Sequence, residues 1–340
     1  DKFGDDVTAR LEAAVVDGEF SFDKEKLGRV SEDKTAAERY KEIALGMGGK
    51  ELPLQGLKVV LDCANGCFSE IMPEVFAKLG ADVTALSCTP DGTNINRDCG
   101  SQHIDAMTAK VRDCGAMLGI AADGDGDRII IGDEKGNRVD GDQIIAFLGK
   151  YYKEHNRLKA DTVVATIVSN PALDRFLEGI GVKCVRSAVG ERYVIEEMKK
   201  CGSNIGGEES GHMVVADYAK TGDTMMAALV IAMGLLQSGK KMSEIFPLFT
   251  PMTRKRIDSK FCGKDEMLAA FELAAFQAEI KQGEADIAGK GRILVRKSGT
   301  EPKIQVWVWG DDVPLATAVS NRIASVLEKA DGFESRKEVL

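Results

Sequence analysis

No stretch of the 340 residues holds the roughly 18 consecutive apolar positions that a membrane-crossing helix requires. The opening residues carry no apolar run of the kind a secretory leader needs. Positive charge is in deficit, with 45 Lys and Arg against 54 Asp and Glu and a net charge of −9. A surface of that sign repels nucleic acid and anionic lipid, so neither nucleic acid nor membrane is an expected partner. Paired cysteines are missing as well. Eight cysteines stand at positions 63, 67, 88, 99, 114, 184, 201 and 262, and none forms a C-x-x-C pair. Cys63 and Cys67 have no His close in sequence to complete a zinc site. Several adjoin apolar runs, where a free Cys acts as a small core residue. They read as reduced thiols of a cytosolic, hence cytoplasmic, protein.

What is present is globular. Hydrophobic residues make up 44% and charged residues 29%, a balance that buries a core rather than staying disordered. The length allows two or three domains. An acidic chain that met phosphorylated ligands would have to concentrate positive charge locally, so short stretches mixing Arg, Ser, Thr and Gly carry weight. The first residue is Asp, and DKFGDDVTARLEAAV already approaches a helix, so the expectation is a chain that starts partway into a protein.

Residues 1–50 are helical and charged, with apolar Leu11, Ala14 and Val15 and a second helical stretch around TAAERYKEIAL. From Gly56 the texture changes. LKVVLD (57–62) is a strand, Glu70–Leu79 a helix, DVTAL (82–86) a strand, Ile104–Cys114 a helix and AMLGIAAD (116–123) a strand. That alternation is the rhythm of a parallel α/β layer. It repeats with TVVATIV (162–168), Ala172–Leu177, KCVRS (183–187) and Val194–Lys200, followed by an apolar helix over Thr224–Leu236. Pro247–Pro251 reads as a linker. Beyond it MTRKRID, a helix over Asp265–Ala278, GRILVRK, KIQVWVWG and a last helix predict a smaller α+β domain. That last helix sets Leu315, Val319, Ile323 and Val326 on one face.

Three loops carry chemistry. DGDGDR, Asp123–Arg128, lies between two strand-like runs. Carboxylates at i, i+2 and i+4 repel one another unless a cation sits among them. Gly124 and Gly126 free the backbone so that they can converge. Hard oxygen ligands suit Mg²⁺ or Ca²⁺, and Arg128 is placed to take a phosphate oxygen. Asp-x-Asp-x-Asp with Glu134 at the twelfth place imitates an EF-hand, but that loop needs Gly where Arg128 stands, and it needs flanking helices. A solvated acidic turn is the plain alternative. GGEESGH, Gly206–His212, offers Glu208 to accept from two adjacent hydroxyls and Ser210 to donate and accept, as a sugar diol would require. A Gly-rich turn with exposed acids would look the same. RKSGTEP, Arg296–Pro302, sits between two alternating strands. Gly299 lets N–H groups turn inward, Ser298 and Thr300 add hydroxyls and Arg296 a charged fork, which together form an anion nest or an ordinary hairpin turn.

Taken together and in this order, the three loops resemble those of the α-D-phosphohexomutases, with DGDGDR in the second domain, GExSGH (Gly207–His212) in the third and R-x-SGTEP in the fourth. The resemblance runs over essentially the whole chain. It implies two tandem phosphohexomutase-type α/β domains followed by a smaller α+β C-terminal domain, with a helical remnant of the first domain. The expected boundaries are 1–50 for the remnant, 51–155 for the metal-loop domain, 156–250 for the sugar-loop domain and 251–340 for the phosphate-loop domain. It implies a reversible phosphoryl shift between two hydroxyls of a phosphosugar, through a phosphoserine and a bisphosphorylated intermediate. Asp123, Asp125 and Asp127 are then expected to bind Mg²⁺. Glu208 and Ser210 would grip sugar hydroxyls, while Arg296, Ser298, Gly299 and Thr300 would hold the phosphate that is not reacting. Arg128, His212 and the AVGERYV loop with Gly190, Glu191 and Arg192 also face the substrate in this reading, and a homodimer is left open.

Within the family, PDGTNINRDCGS (90–101), AVGERYV (188–194) and AKTGD (219–223) look most like the phosphoglucosamine mutase branch; mutases of glucose or mannose phosphates are the alternative. Lys297 stands where Pro or Leu is more familiar, and Glu209 where Gln, Met or Asn often does. The family's nucleophile lies in a Ser-His-Asn-Pro loop, and no such tetrapeptide occurs here. Ser169-Asn170-Pro171 follows a third-domain strand and reads as a helix start capped by Ser, not as the nucleophile. The expectation is therefore that these residues alone show no turnover. A non-catalytic sugar-phosphate-binding protein is the competing reading.

Overall fold

In the computed structural model, residues 3–18, 28–47, 53–298 and 301–339 are described. Helices α1 (Asp5–Asp17) and α2 (Ala36–Gly46) lead into β1 (Lys58–Asp62), α3 (Ile71–Lys78), β2 (Asp82–Leu86), α4 (Asp105–Cys114), β3 (Leu118–Ala122), β4 (Ile129–Asp133) and the two-residue β5 (Arg138–Val139). Next come α5 (Gly141–Glu154), β6 (Thr162–Thr166), α6 (Ala172–Gly179), β7 (Lys183–Ser187), α7 (Glu191–Cys201), β8 (Ile205–Gly207), β9 (Met213–Val215), α8 (Thr224–Ser238) and α9 (Met242–Ile245). The chain closes with β10 (Thr253–Phe261), α10 (Lys264–Phe271), α11 (Ala274–Ile287), β11 (Gly291–Lys297), β12 (Lys303–Gly310), α12 (Val313–Leu327) and β13 (Phe333–Val339). Two compact units result. One comprises Asp1–Arg138, Gly190–Glu196 and His212–Ser243, and the other Val139–Val189, Glu197–Gly211 and Glu244–Leu340.

The first unit is built on a sheet of order β2-β1-β3-β4-β5. β1 runs parallel to β2 and β3, whereas β3 and β4 are antiparallel. All five residues of β3 and of β4 are buried, as strands covered on both faces must be. Met107 and Val111 of α4 pack on Val60 and Ala121 of the sheet. Because Ala122 pairs with Ile129, residues 123–128 are forced into a tight loop at the sheet's end. Helix α8 is apolar around most of its circumference and buried from Thr224 through Ala232, the pattern of a core helix.

In the second unit β7, β6 and β8 form the parallel part of a second sheet. Asp140 caps α5 by accepting from Gln143 N at 3.0 Å. The C-terminal part is an antiparallel sheet of order β11-β12-β10-β13. β12 is buried on both faces, since Ile304, Val306 and Val308 meet α11 and α12 while Trp307 and Trp309 pack with Ala172 and Met252. The stretch before β10 reads as a linker in sequence but is pinned by two side-chain amides. Gln143 bonds Leu248 N (2.8 Å) and Phe249 O (2.9 Å), and Asn170 bonds Met252 N (3.1 Å) and Met252 O (2.9 Å).

Three local expectations change. The helix predicted over Asp265–Ala278 is broken after Phe271, and Leu273 takes an extended ψ of 126°. In an unbroken helix Phe271 and Phe276 would point about 140° apart. The break lets their rings meet edge to face at 6.1 Å over one core. The cap expected of Ser169 falls to Asn170, whose Oδ1 accepts from Ala172 N at 3.0 Å, while Ser169 is fully buried. Helix α5 and strand β13 carry too little period-specific pattern to have been assigned from sequence. On the last helix, Val319 and Ile323 are buried, and Leu315 and Val326 pack partly against the same cluster, as predicted. Since Phe276 is wholly buried among these residues, Phe276→Ala should destabilise the second unit by about 3–5 kcal/mol, measured as a lower urea midpoint of its unfolding transition.

Candidate active site

The loop 123–128 shapes itself with its own backbone. Asp123 Oδ1 accepts from Asp127 N at 3.1 Å and Arg128 N at 3.0 Å, and Asp123 O accepts from Gly126 N at 3.1 Å. Gly126 has φ of +76°, and a side chain there would strike Phe68 and Cys67. Asp123, Asp125 and Asp127 each direct a carboxylate oxygen to one place, the three lying within 4.8 Å of one another. Arg128 Nε stands 3.4 Å from Asp123 Oδ2 and 3.8 Å from Asp127 Oδ1. Asp127 Oδ1 is buried and has no hydrogen bond. A buried acceptor without a donor is costly, and a hard cation among three carboxylates would satisfy it. The residues therefore fit a divalent ion.

Residues remote in sequence close this cluster. His212 Nε2 lies 2.8 Å from Asp127 Oδ2, and the backbones of Arg128 and His212 form an antiparallel bridge. Glu191, at the start of α7, is mostly buried and accepts from Gly222 N at 2.7 Å and from the Thr221 hydroxyl. Asp127, Glu191 and His212 also converge within 4.8 Å. Gly190 has φ of +123°, and Arg192 Nε bonds Glu196 at 2.8 Å. Six predicted residues, Asp123, Asp125, Asp127, Arg128, Glu191 and His212, thus share one centre in the first unit. Burial and then the Asp123 and Asp125 carboxylates push the nearby Cys67 thiol up to about 11, which keeps it protonated at neutral pH.

Glu208, Ser210, Arg296 and Ser298 belong to the second unit. Glu208 is mostly buried and Ser210 exposed, and the turn is closed by Gly211 N donating to Glu208 O at 3.0 Å. The turn rests on the start of α5. Gly141 N donates to Glu209 O at 3.2 Å, and a side chain at Gly141 would run into the carbonyl oxygens of Glu208 and Glu209. Arg254 grips both oxygens of Glu209, at 2.7 and 2.8 Å, and lies over the Trp307 ring at 5.1 Å. Arg296 and Lys297 end β11 opposite Gln305 and Ile304, and Ser298 N donates to Lys303 O at 2.9 Å. Gly299 and Thr300 lie outside the described residues.

Sequence reasoning missed the supports. Thr221, Gly222 and Thr224 bond the cluster or its loop, and Asp223 between them caps α8, yet the AKTGD stretch attracts notice only for its family likeness. Tyr40, which donates to Asp223 at 2.8 Å, carries no sequence signal at all. Burial holds the Asp223 carboxyl above its usual range and, with Asp223 beside it, the Tyr40 phenol well above its own.

Family models of phosphoglucomutase/phosphomannomutase match in order: α/β/α domain II over residues 40–136, α/β/α domain III over 140–252 and the C-terminal domain over 258–326. The phosphoglucosamine mutase of Paramagnetospirillum magneticum is 42% identical over 335 residues, 97% of this chain and 74% of that protein. The chain belongs to the phosphohexomutase family. Other relatives are the phosphoglucosamine mutases of Rhodospirillum centenum, 44% identical over 89% of this chain and 64% of that protein, and Caulobacter vibrioides, 43% identical over 90% and 67%. The chain thus spans between 64% and 74% of the length of these relatives. Such relatives are isomerases that transfer phosphoryl groups intramolecularly. The fold is that of a phosphoglucomutase/phosphomannomutase family protein from Burkholderia thailandensis, with a TM-score of 0.76 at 17% identity over 98% of this chain and 72% of that one. It is also that of the Aspergillus fumigatus N-acetylphosphoglucosamine mutase, solved with GlcNAc-6P and magnesium, at a TM-score of 0.66 and 18% identity over 88% of this chain and 67% of that one. Both confirm the tandem α/β layers with a C-terminal α+β domain.

Beneath the Glu209 turn, a cavity of about 170 Å³ is lined by Asp140, Asp142, Asn170, Glu209, Arg254 and Trp309 among others. Asp142 Oδ2 accepts from Asn170 N at 2.7 Å, but Oδ1 has no hydrogen bond. Burial, and secondarily the Glu209 and Asp140 carboxylates, push this carboxyl up from 3.8 to about 7. Its ionisation opposes folding, so the penalty is absent below pH 3.8, grows as pH rises and is complete above about 7. Asp142→Asn should stabilise the folded protein at pH 8 by an amount on the order of 3–4 kcal/mol, and the gain should vanish towards pH 4, read from urea unfolding across pH.

Proposed function

We propose that the protein acts as a phosphoglucosamine mutase, interconverting glucosamine 6-phosphate and glucosamine 1-phosphate, with Mg²⁺ as its metal. The observation that carries this reading is the convergence of Asp123, Asp125 and Asp127 around an unsatisfied buried oxygen, in a chain whose relatives are phosphoglucosamine mutases.

Each residue's part follows from its chemistry. Asp123, Asp125 and Asp127 hold the ion, which when bound neutralises charge on a transferring phosphoryl group. His212 is oriented by its bond to Asp127, so its ring is presented in one pose beside that site. Arg128, with Gly190, Glu191 and Arg192, faces the substrate. Glu208 accepts from two sugar hydroxyls and Ser210 completes the grip, both on a turn that Gly141 and Arg254 hold in place. Arg296, Ser298, Gly299 and Thr300 bind the phosphate that is not reacting. Glu209 turns its charge to Arg254, so its departure from the family's usual residue does not by itself argue for another sugar. Free thiols at all eight cysteines support a reducing compartment, the cytoplasm. Among the described residues no helix is long and apolar enough to cross a membrane.

The full-length protein should turn over glucosamine phosphates faster than glucose or mannose phosphates; a preference for either of the latter would replace the substrate in this reading. Asp125→Asn should weaken Mg²⁺ binding and cut turnover roughly a hundred-fold or more, with the far-UV spectrum unchanged. Unaltered turnover would remove Asp125 from the metal site. Arg296→Ala should raise KM several-fold with a smaller change in kcat, in the same steady-state assay.

A further inference from the structure

The segment 221–224 is a short run, yet it bonds both to Glu191 and to the backbone of the metal loop. Thr221 and Gly222 donate to Glu191, and a side chain at Gly222 would come within 3.0 Å of Asp127 O. Asp223 N donates to Met213 O, next to His212, at 3.1 Å. Thr224 then bonds the loop itself twice: its amide donates to Gly126 O at 3.0 Å, and its hydroxyl to Arg128 O at 2.7 Å. These two carbonyls flank Asp127.

Thr224 is held in turn. It is fully buried and is the first residue of α8, whose cap is Asp223, a carboxylate that accepts from Met226 N at 3.1 Å. The same carboxylate accepts from Tyr40 of α2, at 2.8 Å to Oδ1 and 3.0 Å to Oδ2. Tyr40 stacks on Phe68, with ring centroids 6.1 Å apart, and Phe68 is the ring that a side chain at Gly126 would strike. The path Tyr40, Asp223, Thr224 therefore ends on the loop at Gly126 and Arg128, and it starts on α2, far upstream of that loop in sequence.

We propose that Thr224 is a positioning residue for the metal loop, and that Tyr40 acts through Asp223 to fix it. The inference rests on the metal reading given above. Three carboxylates that repel one another stay convergent only if the backbone carrying them cannot open, and the Thr224 hydroxyl and amide lock the two peptide groups around Asp127. Groups that orient ligands without touching the ion commonly change metal affinity by about 10- to 100-fold when removed.

The test uses Mn²⁺, an oxygen-preferring stand-in for Mg²⁺, titrated into the purified chain and followed by loss of the free-ion EPR signal. Thr224→Val keeps the shape and deletes the hydroxyl, and should weaken Mn²⁺ binding about 10- to 100-fold. Thr224→Ser restores the hydroxyl and should return the affinity to within about threefold of the parent. Tyr40→Phe should weaken binding about three- to tenfold, the effect of one lost hydrogen bond. Far-UV spectra without metal are expected to match the parent throughout. Should Thr224→Val fail to fold, Thr224→Ser and Tyr40→Phe carry the decision. Parental affinity in Thr224→Val, or equal weakness in Thr224→Ser and Thr224→Val, overturns the assignment, and parental affinity in Tyr40→Phe overturns the path through Asp223. A parent chain that binds no Mn²⁺ overturns the metal reading itself, an outcome distinct from binding that the variants leave unchanged.

Discussion

Three negative charges held within a few ångströms are the constraint around which the first unit is arranged. Asp123 is quieted by two backbone N–H groups of its own loop, and Asp127 by His212 on one oxygen. What is left over, the second oxygen of Asp127, has no donor. The local peptide geometry therefore does not aim for full neutrality. It brings the carboxylates together and leaves a buried Asp127 oxygen without a hydrogen bond, where a positive ion would fit. The fully buried strands β3 and β4 supply the rigid ends from which such a loop can be held.

A different solution operates at the Glu208–Ser210 turn of the second unit. There, an extra acid, Glu209, is paired with Arg254, whose Nη1 donates to both carboxylate oxygens and whose guanidinium also lies over Trp307. Charge-assisted bonds of this kind are among the stronger ones. The backbone of the turn sits close on Gly141 because no side chain intervenes. Glu208 and Ser210 can then be presented by a turn whose position is set by α5 and by the first strand of the antiparallel sheet.

Much of this was legible in the amino-acid order, for definable reasons. Buried parallel strands such as β1, β3 and β6 read as short, mostly apolar runs, and the DGDGDR loop announces itself because repulsion between closely spaced acids has few remedies. Helix α5 was not legible: GDQIIAFLGKYYKE is buried over most of its first half, which blurs the helical period. The break between α10 and α11 was hidden because no Gly or Pro marks it, and tertiary packing of two phenylalanines decides it. The supports of the candidate site were hidden for another reason. Thr224 bonds the Gly126 and Arg128 carbonyls, and Tyr40 bonds the Asp223 carboxylate, all far away in sequence, and no local spacing encodes such a meeting. The two strands flanking RKSGTEP are legible from their alternation, and β11 and β12 pair antiparallel.

The course of the chain has a practical corollary. It passes from one compact unit to the other five times, so each unit is assembled from three separate stretches. No single scission of the polypeptide can part the two bodies, because a fragment that keeps every stretch of one also carries stretches of the other.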